Sequence, residues 1–122
     1  MREIKFKAKR TDGKGWVYGC LIDSGKGKHK SYFILPNEAM SYDEFEEVIT
    51  ETVCQFTGLK DKNGVDVYDG DNLGNSFGGD IKTIEFNLGV FGYYPKDKRN
   101  FFSMINQNMD IYNVISNIHD NV

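Results

Sequence analysis

Alternating apolar and polar positions at the start of the chain predict a β-strand with one wet face. Between residues 4 and 9 every even position is apolar and every odd position is lysine, so the two sets point to opposite faces. A glycine-containing turn at 11–15 leads to the apolar stretch 16–22, and the two stretches predict a hairpin. A loop of glycine and lysine at 23–30 precedes a third predicted strand at 31–35.

The segment 41–53 matches a helix and a strand at the same time. Ser41 and Glu44 have the spacing of a capping box, and apolar residues follow at helical intervals. The density of β-branched residues from Val48 to Val53 favours an extended conformation instead. The residues by themselves leave both alternatives open.

The stretch 56–71 carries the densest turn and strand signals of the chain. Asn63-Gly64 predicts a type I′ turn, because both residues tolerate positive φ, and valines follow at strand spacing. Asp69-Gly70 predicts a second turn.

Shorter patterns fill the rest of the chain. Stretches 81–86 and 90–94 flank a turn with Gly89 at a left-handed position, which predicts a hairpin. Apolar residues four apart in 101–109 predict a short helix, and 111–118 predicts a closing strand with Tyr112, Val114 and Ile118 on one face. Six to eight short strands indicate a mainly β chain, a small barrel or sandwich.

Composition agrees with this fold class and indicates the number of domains and the cellular compartment. The length of 122 residues predicts one domain, and thirteen glycines with two prolines suit tight turns better than disorder. No apolar run reaches the length of a membrane span and no signal-peptide pattern opens the chain. We therefore expect a cytoplasmic protein without a membrane partner.

Charge is unevenly distributed along the chain. The net charge of −3 argues against a general nucleic-acid binder, yet residues 1–35 carry nine Lys/Arg against three Asp/Glu, and residues 36–122 carry six against fifteen. Three interpretations fit: internal electrostatic complementarity, head-to-tail self-association, or a basic face for a phosphate-bearing partner. Internal complementarity is the simplest.

The block 55–71, QFTGLKDKNGVDVYDGD, resembles the signature of the YopX family of phage and prophage proteins. Residues 4–10, 16–19 and 110–121 resemble the same family, so the similarity covers essentially the whole chain. The signature positions, for which the resemblance implies structural roles, are Thr57, Gly58, Leu59, Asp61, Asn63, Gly64, Tyr68, Gly70 and Asp71.

This resemblance implies a mainly β protein with at most one or two short helices and no established biochemical activity. It implies an N-terminal hairpin region over about 1–50 and an SH3-like barrel over about 51–122, and it favours an extended 45–53. The chain departs from the family pattern at Asn72-Leu73-Gly74, where β-branched residues are usual, and at Ser116, where glycine is common. The strand register near both sites is therefore open.

Candidate chemistry is sparse. The acidic residues of the central block lack the glycine and glutamate spacing of a calcium loop, so we expect solvated turn carboxylates and no metal; they are Asp61, Asp66, Asp69 and Asp71. Cys20 and Cys54 are predicted to be buried thiols. His29 and His119 have no convergent partners, and nucleotide-binding motifs are absent, so we expect neither a catalytic site nor a cofactor.

The best binding candidate is a basic loop close in sequence to the first lysine strand. Its residues are Lys26, Lys28, His29 and Lys30. Lys5, Lys7, Lys9 and Arg10 would extend the basic surface, and Trp16, Tyr18 or Tyr32 would offer stacking. An ordinary solvated face is the simpler interpretation. The sequence thus predicts a non-catalytic binding or assembly module, with nucleic-acid binding as the alternative and an enzyme as a distant one. The partner, whether a second copy, a host protein or a phage protein, stays open.

Overall fold

The computed structural model describes residues 3–24, 31–41, 44–87, 89–95, 100–104 and 107–122, and they form a mainly β chain. The strands are β1 (Phe6–Lys9), β2 (Trp16–Asp23), β3 (Tyr32–Pro36), β4 (Glu46–Val48), β5 (Cys54–Lys60), β6 (Asp66–Tyr68), β7 (Asp71–Asn75), β8 (Lys82–Thr83), β9 (Glu85–Asn87), β10 (Val90–Tyr93), β11 (Phe102–Ser103) and β12 (Tyr112–Asn117). Within the described residues, single-turn 3-10 helices cover Thr50–Thr52 and Met109–Ile111. Nowhere in the described ranges is there a helix long and apolar enough to cross a membrane.

The chain divides into two compact units. The first contains residues 1–56 together with Val122, and the second contains residues 57–121. Strand β5 contributes its first residues to one unit and its remaining residues to the other. Each unit has its own cluster of buried apolar residues.

One sheet has the strand order β4-β3-β2-β1-β5-β6, and the first unit contains its strands from β4 to the start of β5. Ala8 pairs with Val17, and Leu21 pairs with Ile34, so these side chains share one face of the sheet. The core on that face consists of Ala8, Val17, Ile34 and Val48, with Phe6, Leu21, Tyr32 and Val53 packed against it. The predicted strands at 4–9, 16–22 and 31–35 are confirmed within one or two residues.

The segment 41–53, which matched both a helix and a strand, is neither a continuous helix nor a single strand in its described residues. It forms β4, the 3-10 turn at Thr50–Thr52 and the approach to β5, so the helical alternative is wrong for its described residues. The Glu44 carboxylate accepts a hydrogen bond from the Ser41 N–H at 2.8 Å, as in a capping box, but no α-helix follows. The β-branched residues prevail because the segment bonds to β1: the Ile49 N–H donates to the Lys9 carbonyl at 2.8 Å.

The second unit contains two three-stranded sheets, in the orders β11-β10-β9 and β12-β7-β8. Its core consists of Val67, Leu73, Ile84, Phe91, Met104 and Tyr112. The hairpin between β9 and β10 is confirmed, with Gly89 at φ 83°. The described strands form separate sheets rather than a closed barrel, so the SH3-like barrel stays a prediction.

The central hairpin turns one residue earlier than predicted. The Gly64 N–H donates to the Asp61 carbonyl at 3.0 Å, so the turn spans 61–64 and Lys62-Asn63 lie at its centre. Gly64 follows with φ 80°. The Asp61 side chain causes the shift, because it accepts hydrogen bonds from the N–H groups of Asn63 and Val65.

The end of the chain departs from the simple patterns. A short helix over 101–109 is wrong for the described residues, since β11 occupies Phe102–Ser103. The closing strand is confirmed as β12, but its register shifts between Val114 and Ser116. This bulge moves Asn117 into a buried position and leaves Ile118 exposed, so Ile118 does not share the face of Tyr112.

Candidate functional site

The predicted loop site Lys26, Lys28, His29 and Lys30 lies outside the described residues. A basic surface within the described residues is in the first unit. There, Lys7 and Lys9 of strand β1 and Lys5, just before the strand, meet aromatic rings. We name it the lysine–aromatic face and define it by Lys5, Lys7, Lys9, Trp16, Tyr18 and Phe56.

Strand register places these residues on one side of the sheet. Lys7 pairs with Tyr18, and Lys9 pairs with Trp16, so each pair shares a face. On the other side of β1, Lys7 pairs with Cys54, and Phe56 follows two residues later in β5. This face is opposite to the one that carries Ala8 and Val17.

The ammonium groups lie over the rings at cation–π distances. Lys5 Nζ is 4.4 Å from the centre of the Phe56 ring. Lys7 Nζ and Lys9 Nζ are 4.7 Å and 5.3 Å from the centre of the Trp16 ring. Trp16 therefore holds two lysines at once and fixes where their charges lie.

The predicted wet face is thus partly covered. Lys7 is only 7% exposed, and its ammonium group lies over the Trp16 ring. Tyr18, which is opposite Lys7, is 44% exposed. Tyr32 packs against the core on the other face, so it cannot join the stacking residues. Among the aromatic residues proposed for stacking, Tyr18 is the one that presents an exposed ring beside a lysine.

Basic and acidic residues are balanced inside the first unit. Residues 1–56 contain nine Lys/Arg and nine Asp/Glu. Arg10 forms ion pairs with Asp12 at 2.6 Å and with Glu46 at 3.2 Å, and Lys5 approaches Glu3 at 3.5 Å. Of these pairs, Arg10–Glu46 joins the basic stretch 1–35 to the acidic remainder of the chain, as internal complementarity predicts, whereas the other two lie within 1–35.

Two acidic residues of the signature block, Asp61 and Asp71, are buried and stabilise the fold. Asp61 accepts three backbone hydrogen bonds, and Asp71 accepts one from the Tyr68 N–H and one from the Asn117 side chain, each at 2.8 Å. Both side chains are buried, which corrects the prediction of solvated carboxylates for Asp61 and Asp71, whereas Asp66 and Asp69 are half-buried. A turn carboxylate becomes buried here because it satisfies N–H groups that would otherwise lack acceptors.

Hydrogen bonding explains why the pKa of Asp61 is lowered. Burial raises the pKa of its carboxyl, but the N–H groups of Val114, Val65 and Asn63 outweigh burial and lower the pKa below its usual value of 3.8. The carboxylate is therefore ionised at neutral pH. In the described part of the chain, His, Cys, Asp and Glu form no group that could hold a metal ion.

The thiols and the described histidine do not form a reactive pair. Cys54 is buried, and its Sγ donates to the Thr52 carbonyl at 3.2 Å. Cys20 is exposed, contrary to the prediction, because it shares the outward face of β2 with Tyr18 while Gly19 takes the inner face. The backbone N–H of His119 donates to the Asn117 side chain, as in a turn.

A second surface, made of aromatic side chains, was not predicted from the sequence. On the sheet β11-β10-β9, Phe86 is 52% exposed and Phe102 is 46% exposed. Phe86 contacts Phe91 at 4.7 Å between ring centres, and Phe102 stacks on Tyr93 at 5.7 Å. Pairing across the predicted 81–94 hairpin could have placed Phe86 beside Phe91, but the partner of Phe102 depends on a strand that was predicted as helix. We name these four residues the aromatic sheet.

The family model described as "YopX protein" matches residues 5–122, which is essentially the whole chain and includes the lysine–aromatic face. No curated protein matches the chain.

Proposed function

This chain belongs to the YopX protein family, and we propose that it acts as a binding module rather than as an enzyme. Its binding surface is the lysine–aromatic face, and its ligand is a phosphate-bearing polymer in the cytoplasm of a bacterial host. The observation that carries the proposal is the position of two lysine ammonium groups over the single ring of Trp16.

The ring of Trp16 holds the ammonium groups of Lys7 and Lys9 close together, at 4.7 Å and 5.3 Å from its centre. A phosphate that reaches both ammonium groups would gain charge-assisted hydrogen bonds to side chains already held in place. Such preorganisation reduces the side-chain entropy that binding would otherwise cost.

The test is retention on phosphocellulose in a salt gradient. We compare the wild type with the double variant Lys7→Gln, Lys9→Gln. Each lysine that contacts a phosphate contributes about one unit to the slope of log affinity against log salt, so we expect the variant to elute at clearly lower salt. The matched control, Lys60→Gln with Lys62→Gln, removes two lysines from the second unit and should elute much closer to the wild type.

Folding must be checked in the same samples, because Lys7 is largely buried. Trp16 is the chain's only tryptophan, and its emission reports on the packing of this face. A Lys9→Gln single variant, at a less buried position, separates lost charge from lost packing. Equal elution of wild type and both lysine-face variants, or no retention of the wild type, would refute the proposal.

The aromatic sheet supports a second candidate function, assembly with another protein surface. Phe86 and Phe102 are large apolar side chains that are about half exposed, beside the buried Phe91 and the partly buried Tyr93. Clustered apolar exposure marks interaction surfaces. Light scattering over a concentration series tests it with Phe86→Ser and Phe102→Ser, and Ile118→Ser serves as the exposed apolar control. A monomer at every concentration would exclude a second copy as the partner.

A further inference from the structure

We infer that the outer edge of strand β9, at Phe86, binds an extended peptide in which an apolar residue is flanked by basic residues. The inference rests on the second candidate function, because it names the partner that one edge of the aromatic sheet would take. Three features of this edge support it: the direction of its main-chain groups, an exposed ring and an exposed carboxylate.

The main-chain groups of Phe86 point away from strand β10. Phe91 is opposite Phe86 in β10, and its carbonyl accepts a hydrogen bond from the Met104 N–H at 2.9 Å, so the main-chain groups of Phe91 face β11. Opposite residues of antiparallel strands exchange either two hydrogen bonds or none. Phe86 and Phe91 therefore form a pair without hydrogen bonds, and the N–H and C=O of Phe86 point to the outer edge of β9.

This edge is open among the described residues. Just before β9, the Ile84 N–H donates to the Asp71 carbonyl at 2.9 Å, and the Ile84 carbonyl accepts from the Gly70 N–H at 2.7 Å. The groups of Phe86 point to the same side as those of Ile84, because these groups alternate along a strand. Past Ile84, β9 is the last described strand of its sheet, and no described residue bonds to the Phe86 main chain. Such an edge is a template for a further strand.

The exposed ring of Phe86 favours a peptide over a second folded copy. Phe91 contacts the ring from the β10 side, and Phe86 is 52% exposed. This leaves about 100 Å² of apolar surface, whereas each partner in a stable complex of folded proteins buries about 800 Å². A peptide strand needs less apolar area, because main-chain hydrogen bonds supply part of its affinity.

Glu85 favours basic residues in that peptide. Its side chain is exposed and forms no ion pair with any described residue. Alternation along β9 places Glu85 on the face opposite to Phe86. In an added strand, the residue opposite Phe86 shares the face of the ring, and its two neighbours share the face of Glu85. An apolar residue between two lysines therefore matches both side chains at once.

The experiment measures the fluorescence anisotropy of a labelled peptide with the full chain. The peptide has about seven residues, an ordinary strand length, with phenylalanine between two lysines at its centre and threonine elsewhere. We expect saturable binding, and amide hydrogen exchange at Phe86 should slow at least tenfold in the complex, because its N–H gains an acceptor. A matched peptide methylated at the main-chain nitrogen of its phenylalanine cannot donate to the Phe86 carbonyl and should bind roughly tenfold more weakly.

Protein variants separate this edge from the rest of the aromatic sheet. Phe86→Ser should weaken binding at least tenfold, because the ring contact is lost. Phe102→Ser removes a similarly exposed ring from β11, at the other end of the same sheet, and should bind as the wild type does. Glu85→Gln should weaken binding about threefold, as expected for an exposed ion pair. Far-UV circular dichroism checks that each variant is folded.

The outcomes distinguish this inference from the second candidate function. Equal affinity for the methylated peptide, unchanged exchange at Phe86, or equal weakening by Phe102→Ser would refute edge pairing. Self-association that depends on Phe86 and Phe102 in light scattering would still uphold assembly through the aromatic sheet. Absence of saturable peptide binding would also refute the inference, and a monomer at every concentration would then exclude both partners, the peptide and the second copy.

Discussion

Replacement of Asp61 should weaken the second unit more than replacement of any exposed carboxylate. The side chain is 7% exposed. Its Oδ1 accepts hydrogen bonds from the N–H groups of Asn63 and Val65 at 2.8 Å and 2.9 Å, and its Oδ2 accepts one from the Val114 N–H at 2.9 Å. One carboxylate therefore fixes the central turn and attaches strand β12, which lies 53 residues further along the chain.

The size of the effect follows from these three bonds. A hydrogen bond to a charged group contributes about 1.5–3 kcal/mol, and a buried donor left without an acceptor costs about 1–3 kcal/mol. Asp61→Asn can keep the two bonds at Oδ1 but turns an NH₂ group toward the Val114 N–H, so we expect a loss of about 2 kcal/mol. Asp61→Ala leaves all three donors without the carboxylate, and we expect a loss of about 4 kcal/mol.

Urea unfolding monitored by far-UV circular dichroism measures the loss, and amide hydrogen exchange at Val65 and Val114 locates it. Trp16 emission is not suitable here because that residue belongs to the first unit. The control is Asp66→Asn, which breaks the ion pair to the exposed Lys60 at 2.6 Å and should cost at most about 1 kcal/mol. If Asp61→Asn were no worse than this control, the structural role of the carboxylate would be refuted.

Acid supplies an independent check. The folded pKa of Asp61 lies below its unfolded value of 3.8, so the stabilisation by this carboxylate is fully present above the unfolded pKa and is lost as the pH falls through the folded pKa. The difference in unfolding free energy between wild type and Asp61→Asn should be constant near neutral pH and shrink below pH 3.8.

Three further predictions concern other parts of the fold. Gly92→Ala should destabilise the second unit by about 2 kcal/mol or more, because the new Cβ would overlap the carbonyl oxygen of Phe102 in β11. A Cβ added at Gly74 would meet nothing closer than the Ile115 methyl group at 3.3 Å, so thermal unfolding should show a smaller loss for Gly74→Ala. Burial raises the pKa of the Tyr112 hydroxyl above 10.0. The protonated side chain therefore contributes to the stability of the fold below that pH, and this contribution is lost as the pH rises through the folded pKa. In a pH series of urea melts, Tyr112→Phe should remove this loss of stability at alkaline pH. A thiol reagent should label Cys20 rapidly in the native protein and Cys54 only in urea, and equal native rates would contradict their different exposure.

Local signals in the sequence predict the first unit well because its strands depend on neighbouring residues. The period-two pattern at 4–9 and the apolar stretch at 16–22 lead to β1 and β2, and their hairpin needs only a glycine-containing turn. The same pattern cannot tell which face is covered. The lysine side was predicted to be wet because no local rule shows that Trp16 and Phe56 reach over it from β2 and β5.

The errors in the second unit have long-range causes. The Asn63-Gly64 pair predicts a two-residue turn, but the Asp61 side chain also bonds to Val114 and Val65, and this fixes a turn that begins at Asp61. The apolar periodicity predicts that Ile118 shares the face of Tyr112, because a periodic pattern carries no information about a bulge between Val114 and Ser116. Likewise, the apolar spacing in 101–109 fits a helix, although Phe102 pairs with Tyr93 in a sheet.

The two departures from the YopX pattern meet each other in space. The Asn72 side chain donates to the Ser116 hydroxyl at 2.9 Å and accepts from the Thr83 hydroxyl at 2.6 Å, so it joins β12, β7 and β8 across one face. Gly74 faces the methyl group of Ile115, the extra residue of the bulge. A valine or isoleucine at 72 could not form this pair of bonds, and a glycine at 116 would offer no hydroxyl. The polar residues that made the register uncertain in the sequence are therefore those that fix it in the fold.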